Sequence, residues 1–462
     1  MTATHPEASA ALTATELVGR LAGPVFLPGD VGFDAEIAAW NLATVHRPVV
    51  AIGATTTADV AAAVRWAAEH GLPVAVQATG HGAVAPATGC VLVTTHRMDE
   101  VTVDPATNTV RVGAGVKWAR VIEAAAPYGL APLSGSSSDV GAVSYTLGGG
   151  IGLMARRYGY AADHVRSLQI VTADGSIHDV DADHHAALFW AVRGGKGNFG
   201  IVTSIEIALM PISTLYAGGI FYPGAVATDV LHAYRTWTST LPEETTTSVA
   251  ILRLPPLPEV PEPLRGQTVV HLRFIHSGDA DEGARLLAPM RAVAPAVIDY
   301  VDKMPFTAVD AIHQDPTDPM PGWERGAMLA DLTPEVVDAI LAAAGPQVEL
   351  PLVMVELRHL GGALSRQADV PNAVPGRGAG FSFFVLGPLF PGLEGIVPAV
   401  GGAVLDAVTP FITPGTPLNF AGKATPDQLL AAWAPEDRER LLQIKEEYDP
   451  ANMFRFGQAF VA

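Results

Sequence analysis

Through the first half of the chain, short apolar runs alternate with stretches of helical spacing, and most are closed by a turn or a glycine. Pro48 to Ile52 is a compact apolar run, and Thr57 is placed to cap a helix over Ala58 to His70, with Asp59 in its first turn and Gly71 past its end. Pro73 to Ala78 reads as a strand that delivers the chain into a glycine loop. Short strands follow at Val91 to Thr94, Val101 to Val103 and Val110 to Val112, the last two joined by the turn Asp104-Pro105-Ala106-Thr107-Asn108. A second helix covers Trp118 to Ala126. Val165 to Thr172 and Ile177 to Val180 flank Ala173-Asp174-Gly175 as a hairpin, and Leu188 to Val192 and Ile201 to Leu209 close the unit. Strands and helices mixed in this way predict an α+β fold.

Past Pro211 the texture changes. Proline-rich stretches (Leu254 to Pro263, Asp315 to Pro321) punctuate longer patterns. Strands are predicted at Thr268 to Ile275, Leu350 to Leu357 and Gly380 to Leu386, and helices at Asp281 to Val293 and Pro334 to Ala343. The expectation is a second domain in which helices cover one face of an antiparallel sheet. A charged helix from Pro435 to Tyr448 ends the pattern at Asp449-Pro450, and no internal repeat is evident.

Composition narrows the class. A chain of 462 residues with 49% hydrophobic and 16% charged residues has ample material for more than one buried core. A formal net charge of −19 argues against nucleic acid or an anionic membrane as partner. The single cysteine, Cys90, excludes an internal disulfide framework and reads as packing at a strand start, and no metal site is expected. No basic leader followed by an apolar core and no apolar run of membrane-spanning length is evident, so the chain reads as cytoplasmic.

Two glycine-rich segments carry the chemistry. The first is Gln77-Ala78-Thr79-Gly80-His81-Gly82. The second runs from Ser134-Gly135-Ser136-Ser137-Ser138-Asp139-Val140-Gly141 to Leu147-Gly148-Gly149-Gly150-Ile151-Gly152. Glycines at this density let backbone N–H groups approach a pyrophosphate. Gly150-Ile151-Gly152-Leu153-Met154-Ala155 also satisfies the dinucleotide fingerprint, with Asp174 at a suitable distance. The match is rejected: Gly159 interrupts any crossover helix, Val143 to Thr146 is too polar for a buried parallel strand, and Asp174 belongs to the hairpin turn.

The ordered motifs then add up to a family. Arg47-Pro48, Gly80-His81, Val140-Gly141, Leu147-Gly148-Gly149-Gly150, Arg157-Tyr158-Gly159, Asp163 and Ala173-Asp174-Gly175 come first. Leu188 to Gly195, Asn198-Phe199-Gly200-Ile201-Val202-Thr203 and the terminal Tyr448-Asp449-Pro450-Ala451-Asn452-Met453-Phe454 follow. The chain resembles the berberine-bridge-enzyme-like branch of the FAD-linked oxidases with the vanillyl-alcohol-oxidase (PCMH-type) fold. The resemblance implies a PCMH-type FAD-binding domain of two α/β subdomains over residues 40–212, a substrate domain over 213–425, and a C-terminal segment, 426–462, returning to the FAD domain. It implies that Ala78, Thr79, Gly80, His81 and Gly82 hold the pyrophosphate and present His81 as the covalent attachment point. Gly135, Ser136, Ser137, Val140, Gly141, Gly149, Gly150 and Gly152 would line the flavin ring and ribityl chain, and Ile201 and Val202 the adenine end.

Three departures sharpen the expectation. Ser137 stands where many relatives have a second, cysteinyl link, so FAD held through His81 alone is expected. Gln77 replaces a frequent arginine. Leu418-Asn419-Phe420 stands where relatives often carry a tyrosine base, so both tyrosines are missing. Val140 occupies a position that resemblance associates with oxygen access, which favours an oxidase. Replacement bases are sought among His271, His276, His313, His359 and Glu356, with Glu356 preferred, and Asn419 is assigned to the substrate or flavin region. Strand alternation places Glu356 and Arg358 on one face, where they can pair instead.

The resulting expectation is a bacterial FAD-dependent oxidase acting on a small organic substrate, an amine or alcohol of secondary metabolism. Hydride passes to flavin and O2 becomes hydrogen peroxide, in a monomer or homodimer. The alternatives are a flavin dehydrogenase or cyclase that does not use O2, and a flavin-containing protein that binds a metabolite without turning it over.

Overall fold

The computed structural model describes residues 14–461. Among these residues the strands form three sheets. The first joins Val25–Phe26, Val50–Gly53, Val91–Thr94 and Val74–Gln77 in that order, the last three parallel. Val50–Gly53 and Val91–Thr94 are buried at every position, which explains their unbroken apolar runs. Helix Thr57–Glu69 packs on this sheet, but its cap is Thr56 rather than the expected Thr57. Thr56 Oγ1 accepts the Asp59 N–H at 3.1 Å and the Asp59 carboxylate returns the contact, while Thr57 Oγ1 donates to Gln169 Oε1 at 2.8 Å.

The second sheet is antiparallel, in the order Val101–Asp104, Thr109–Gly113, Ile201–Ala208, Val165–Val171, Ile177–Asp181. Its hairpin turn is tied by Asp174, which accepts from Thr172 Oγ1 at 2.7 Å and from the Ser176 N–H at 2.9 Å. The dinucleotide fingerprint is a coincidence of sequence. The helix that follows it directly, Ala155–Tyr158, is four residues long and ended by Gly159 at φ 88°, and Val143 to Thr146 lie in helix Ala142–Leu147.

The third sheet is antiparallel, in the order Ile298–Asp299, Thr214–Pro223, Thr268–His276, Thr245–Arg253, Met354–His359, Phe381–Pro388, Gly322–Leu329, Ile412–Thr413, with Asp302–Pro305 also pairing with Thr214–Pro223. The strand anticipated from Leu350 begins only at Met354. Strands Thr214–Pro223, Thr245–Arg253 and Gly322–Leu329 escaped the sequence reading. The Gly218-Gly219 pair and the opening threonines of Thr245–Arg253 obscure their period. Val249, Ile251, Leu272, Phe274, Val355 and Leu357 point to one face, where they share an apolar core with Leu231, Leu287, Val337 and Val404 of the covering helices. The alternate positions point the other way, toward the first two sheets.

Helix Pro435–Tyr448 packs Leu441 and Ile444 into the core that holds Trp190, Phe199 and Phe460. Behind it, Lys445 Nζ donates to Asp449 Oδ2 at 2.6 Å, to Asn198 O at 2.9 Å and to Phe454 O at 3.1 Å. The Asp449 carboxylate accepts from the N–H groups of Met453 and Phe454. The terminal motif is thus a buried clasp onto the Asn198-Phe199-Gly200 turn. Among the described residues no helix is long and apolar enough to cross a membrane, and no group of three metal-ligating side chains occurs.

Candidate active site

A cavity of about 590 Å³ lies between the first two sheets and the uncovered face of the third. One wall is a backbone cradle. Gly80 turns at φ 78°, and a Cβ there would lie 2.6 Å from Ala39 Cα, so only glycine lets this loop sit against its neighbour. Gly141 approaches from the opposite side, with Ala78 and Thr79 at 3.7 Å from its would-be Cβ. The Gln77 side chain accepts from His46 Nε2 at 2.9 Å and donates to Ala38 O at 3.0 Å, bracing the strand below the loop.

His81 lies on this wall, stacked on Trp40 with ring centroids 4.6 Å apart. Its Nδ1 contacts Thr79 Oγ1 at 2.8 Å, and Nε2 stands 3.8 Å from the Asp139 carboxylate. Burial lowers its pKa to about 4, against Asp139 and assisted by Lys117, so the ring is neutral at physiological pH and keeps a nitrogen lone pair.

Ala78, Thr79, Gly80, His81, Gly82, Gly135, Ser136, Ser137, Val140, Gly141 and Val202 all reach the cavity wall. Gly149, Gly150, Gly152 and Ile201 do not. A Cβ on Gly150 would meet the Tyr145 ring at 2.7 Å, and one on Gly152 the Ser134 carbonyl at 2.5 Å, so these glycines admit close packing behind the wall. Ile201 is buried in the core between Gly200 and Val202, which do line the cavity. Ser137 Oγ accepts the Asp139 N–H at 3.3 Å and shapes its own turn.

The opposite wall is made of side chains. Arg273, Ser248 and Arg358 stand in register on three adjacent strands. Glu356, fully buried, is shared between the arginines: Oε1 accepts from Arg273 Nη1 at 3.0 Å and from Ser248 Oγ at 3.1 Å, and Oε2 accepts from Arg358 Nε at 2.6 Å. Burial alone would raise its pKa, but Arg358 and Arg273 outweigh that and hold it below the ordinary carboxylate value. The expectation of Glu356 as catalytic base is therefore corrected. A carboxylate with both oxygens in charge-assisted hydrogen bonds has little proton affinity to offer.

Asn419 lines the cavity where the two walls meet, its Nδ2 donating to Tyr145 O at 2.8 Å. Of the four histidines considered as bases, only His313 reaches the cavity, and burial then Arg273 depress its pKa. His271 bonds Tyr300 at 2.9 Å, His276 bonds Thr245 at 2.9 Å and His359 bonds Arg156 at 2.9 Å, all away from the cavity.

Two wall residues escaped the sequence reading. Burial lowers Lys196 to about 8, opposed by Glu324, and raises Glu324 to about 7, opposed by Lys196. Lys196 follows a Gly194-Gly195 pair and adopts φ 53°, and that glycine pair is the local signal in the sequence that the backbone turns there; Glu324 carried no such signal.

A glycine-walled cleft facing a sheet with charged side chains is suited to holding an extended anionic ligand along backbone. Comparison with known proteins agrees. The FAD binding domain family model matches residues 48–181, and the berberine and berberine-like model matches residues 419–459. The (R)-6-hydroxynicotine oxidase of Paenarthrobacter nicotinovorans is 27% identical over 457 residues, covering 94% of this chain and 95% of that protein. An FAD-linked oxidoreductase of Dictyostelium discoideum is 24% identical over 452 residues, covering 96% of each. The crystal structure of 6-hydroxy-D-nicotine oxidase from Arthrobacter nicotinovorans superposes with a TM-score of 0.82 at 25% identity, over 95% of this chain and 98% of that one. A Physcomitrella patens berberine-bridge-enzyme-like protein shares the fold at a TM-score of 0.84 and 18% identity, over 97% of this chain and 99% of that one. The chain carries an FAD binding domain and a berberine-like segment, is similar along nearly its whole length to FAD-linked oxidases of the berberine-bridge-enzyme-like kind, and is an FAD-dependent oxidoreductase.

Proposed function

We propose that the protein oxidises a small organic substrate, an amine or an alcohol, in the cavity between the two walls, with FAD held through His81 alone and O2 as electron acceptor. When bound, FAD supplies a hydride acceptor that returns its electrons to O2 as hydrogen peroxide. The observation that carries the reading is the cradle itself: Gly80 has no room for a Cβ, Gly80 and Gly141 put bare backbone on the cavity wall, and a neutral, Trp40-stacked His81 stands beside them. Residues 40–212 and 426–462 hold the cofactor, and residues 213–425 hold the substrate.

The chain's own groups divide the work. The loops 78–82 and 135–141 offer backbone N–H groups to an anionic cofactor. Trp40 fixes the plane of His81, and Thr79 fixes one ring nitrogen. Ser137 leaves His81 as the single attachment residue. Asn419 ties the substrate wall to Tyr145 of the cradle. Glu324, pushed up to about 7, has the proton affinity that a base for an alcohol or ammonium proton needs, which Glu356 lacks.

The test is the visible spectrum of the purified protein with in-gel flavin fluorescence after denaturation, for wild type and His81→Ala. Fluorescence retained only by the wild type supports the histidyl link, and peroxide release in a substrate screen then supports the oxidase. Flavin released from the wild type overturns the covalent link. Flavin reduction without peroxide favours a dehydrogenase, and ligand binding without flavin reduction favours a binding protein.

A further inference from the structure

We propose that Arg358 is the anchor for an anionic oxygen of the substrate, a carboxylate or a phenolate, whose flat apolar body lies along Phe384 and Phe420. The inference rests on reading this cavity as the substrate site. Three observations converge on it. The Arg273–Glu356–Arg358 group places two guanidinium ions on one carboxylate, which leaves one positive charge in excess on the cavity face. The two arginines are not equivalent. Both line the cavity, but Arg273 is 1% exposed, whereas Arg358 is 18% exposed. Finally, Arg358 spends only Nε on Glu356, and its two terminal nitrogens make no hydrogen bond among the described residues.

Glu356 thus acts as a positioning residue. It fixes the guanidinium by one edge and leaves the paired terminal nitrogens for a bidentate acceptor. The surroundings suit a flat ligand. The Arg358 guanidinium stands 5.7 Å from the Phe420 ring centroid, and Phe384 meets Phe420 edge-on at 5.8 Å. Leu386 and Met354 extend the apolar surface along the same face. Asp315 also lines the cavity and is half-buried, but it forms no ion pair with either arginine among the described residues. Its charge opposes an incoming anion without cancelling the site.

The test is isothermal titration of the flavin-loaded protein with benzoate, benzamide and 4-nitrophenol, the last above and below its ionisation. Benzoate is expected to saturate, with benzamide weaker by roughly 10- to 100-fold, the range for one hydrogen bond to a charged group. Arg358→Met is expected to bring benzoate down to the level of benzamide while leaving benzamide unchanged, which also shows that the cavity is intact. Arg358→Lys should keep part of the preference, and Asp315→Asn should tighten benzoate. Saturation by benzoate assigns a carboxylate, and saturation by ionised 4-nitrophenol alone assigns a phenolate. The proposal is overturned if neither anion saturates, or if Arg358→Met leaves the preference for benzoate over benzamide intact. It is also overturned if that variant shifts the flavin reduction potential with benzoate affinity unchanged, which would assign the guanidinium to the cofactor. Binding heat requires no turnover, so a protein that takes benzoate and releases no peroxide would lose the oxidase reading and keep this one.

Discussion

The loops at 77–82 and 135–141 shape one wall of the cavity largely with backbone, with His81 as its chief side chain, whereas the strands at 245–276 and 354–359 shape the other with interlocked charges. The difference teaches where each wall is vulnerable. At Gly80 on the cradle side a single added carbon is intolerable, because Ala39 and Trp40 leave no volume for it. On the sheet side volume is available, and what is intolerable is an uncompensated charge, because Glu356 and Arg273 are out of reach of water.

The contrast can be broken most directly at Gly80. Gly80→Val must move Ala39 or abandon φ 78°, so the flavin-to-protein ratio measured by absorbance should fall to near zero. A variant that keeps full flavin would show that the cradle is not backbone-limited. The next effect belongs to the sheet. Glu356→Leu strands two buried guanidinium groups and should cost about 3–5 kcal/mol in urea unfolding, with the double variant Glu356→Leu/Arg273→Met recovering a good part. Equal losses in single and double variants would mean that charge pairing is not what matters there.

A pH titration sharpens the same point. Burial, then Arg156, lowers His359 at the edge of this sheet to about 3, so the unfolded chain binds a proton that the folded chain refuses. Stability contributed by neutral His359 is complete above pH about 6.5 and is lost progressively as pH falls toward 3, by about 3 kcal/mol at pH 4. The urea midpoint of wild type should therefore fall more steeply below pH 6.5 than that of His359→Asn, and parallel curves would refute the assignment. The smallest effect lies where the walls meet. Asn419→Ala removes one hydrogen bond to Tyr145 O and should cost about 1 kcal/mol in urea unfolding, with flavin content unchanged.

Much of the cradle was legible because its signals are local. The motif Gly80-His81-Gly82, the Ala173-Asp174-Gly175 hairpin and the terminal Asp449-Pro450 clasp each state their geometry within a few residues. The sheet wall was read only in part. Alternation correctly put Glu356 and Arg358 on one face, and they pair at 2.6 Å. Arg273, 83 positions earlier, gave no sign that it would share the same carboxylate. Nor did anything near Glu324 show that it would share the cavity with Lys196 and feel its charge.

By itself, then, the sequence determined the turns, the apolar runs of the first sheet and the glycine loop at 80–82, because these depend on neighbours in the chain. Only the tertiary structure decided which carboxylate keeps a high proton affinity and which is clamped between arginines. Proton affinity is set by burial and by charges that arrive from distant strands, and Glu356 and Glu324 differ in those surroundings rather than in their own chemistry.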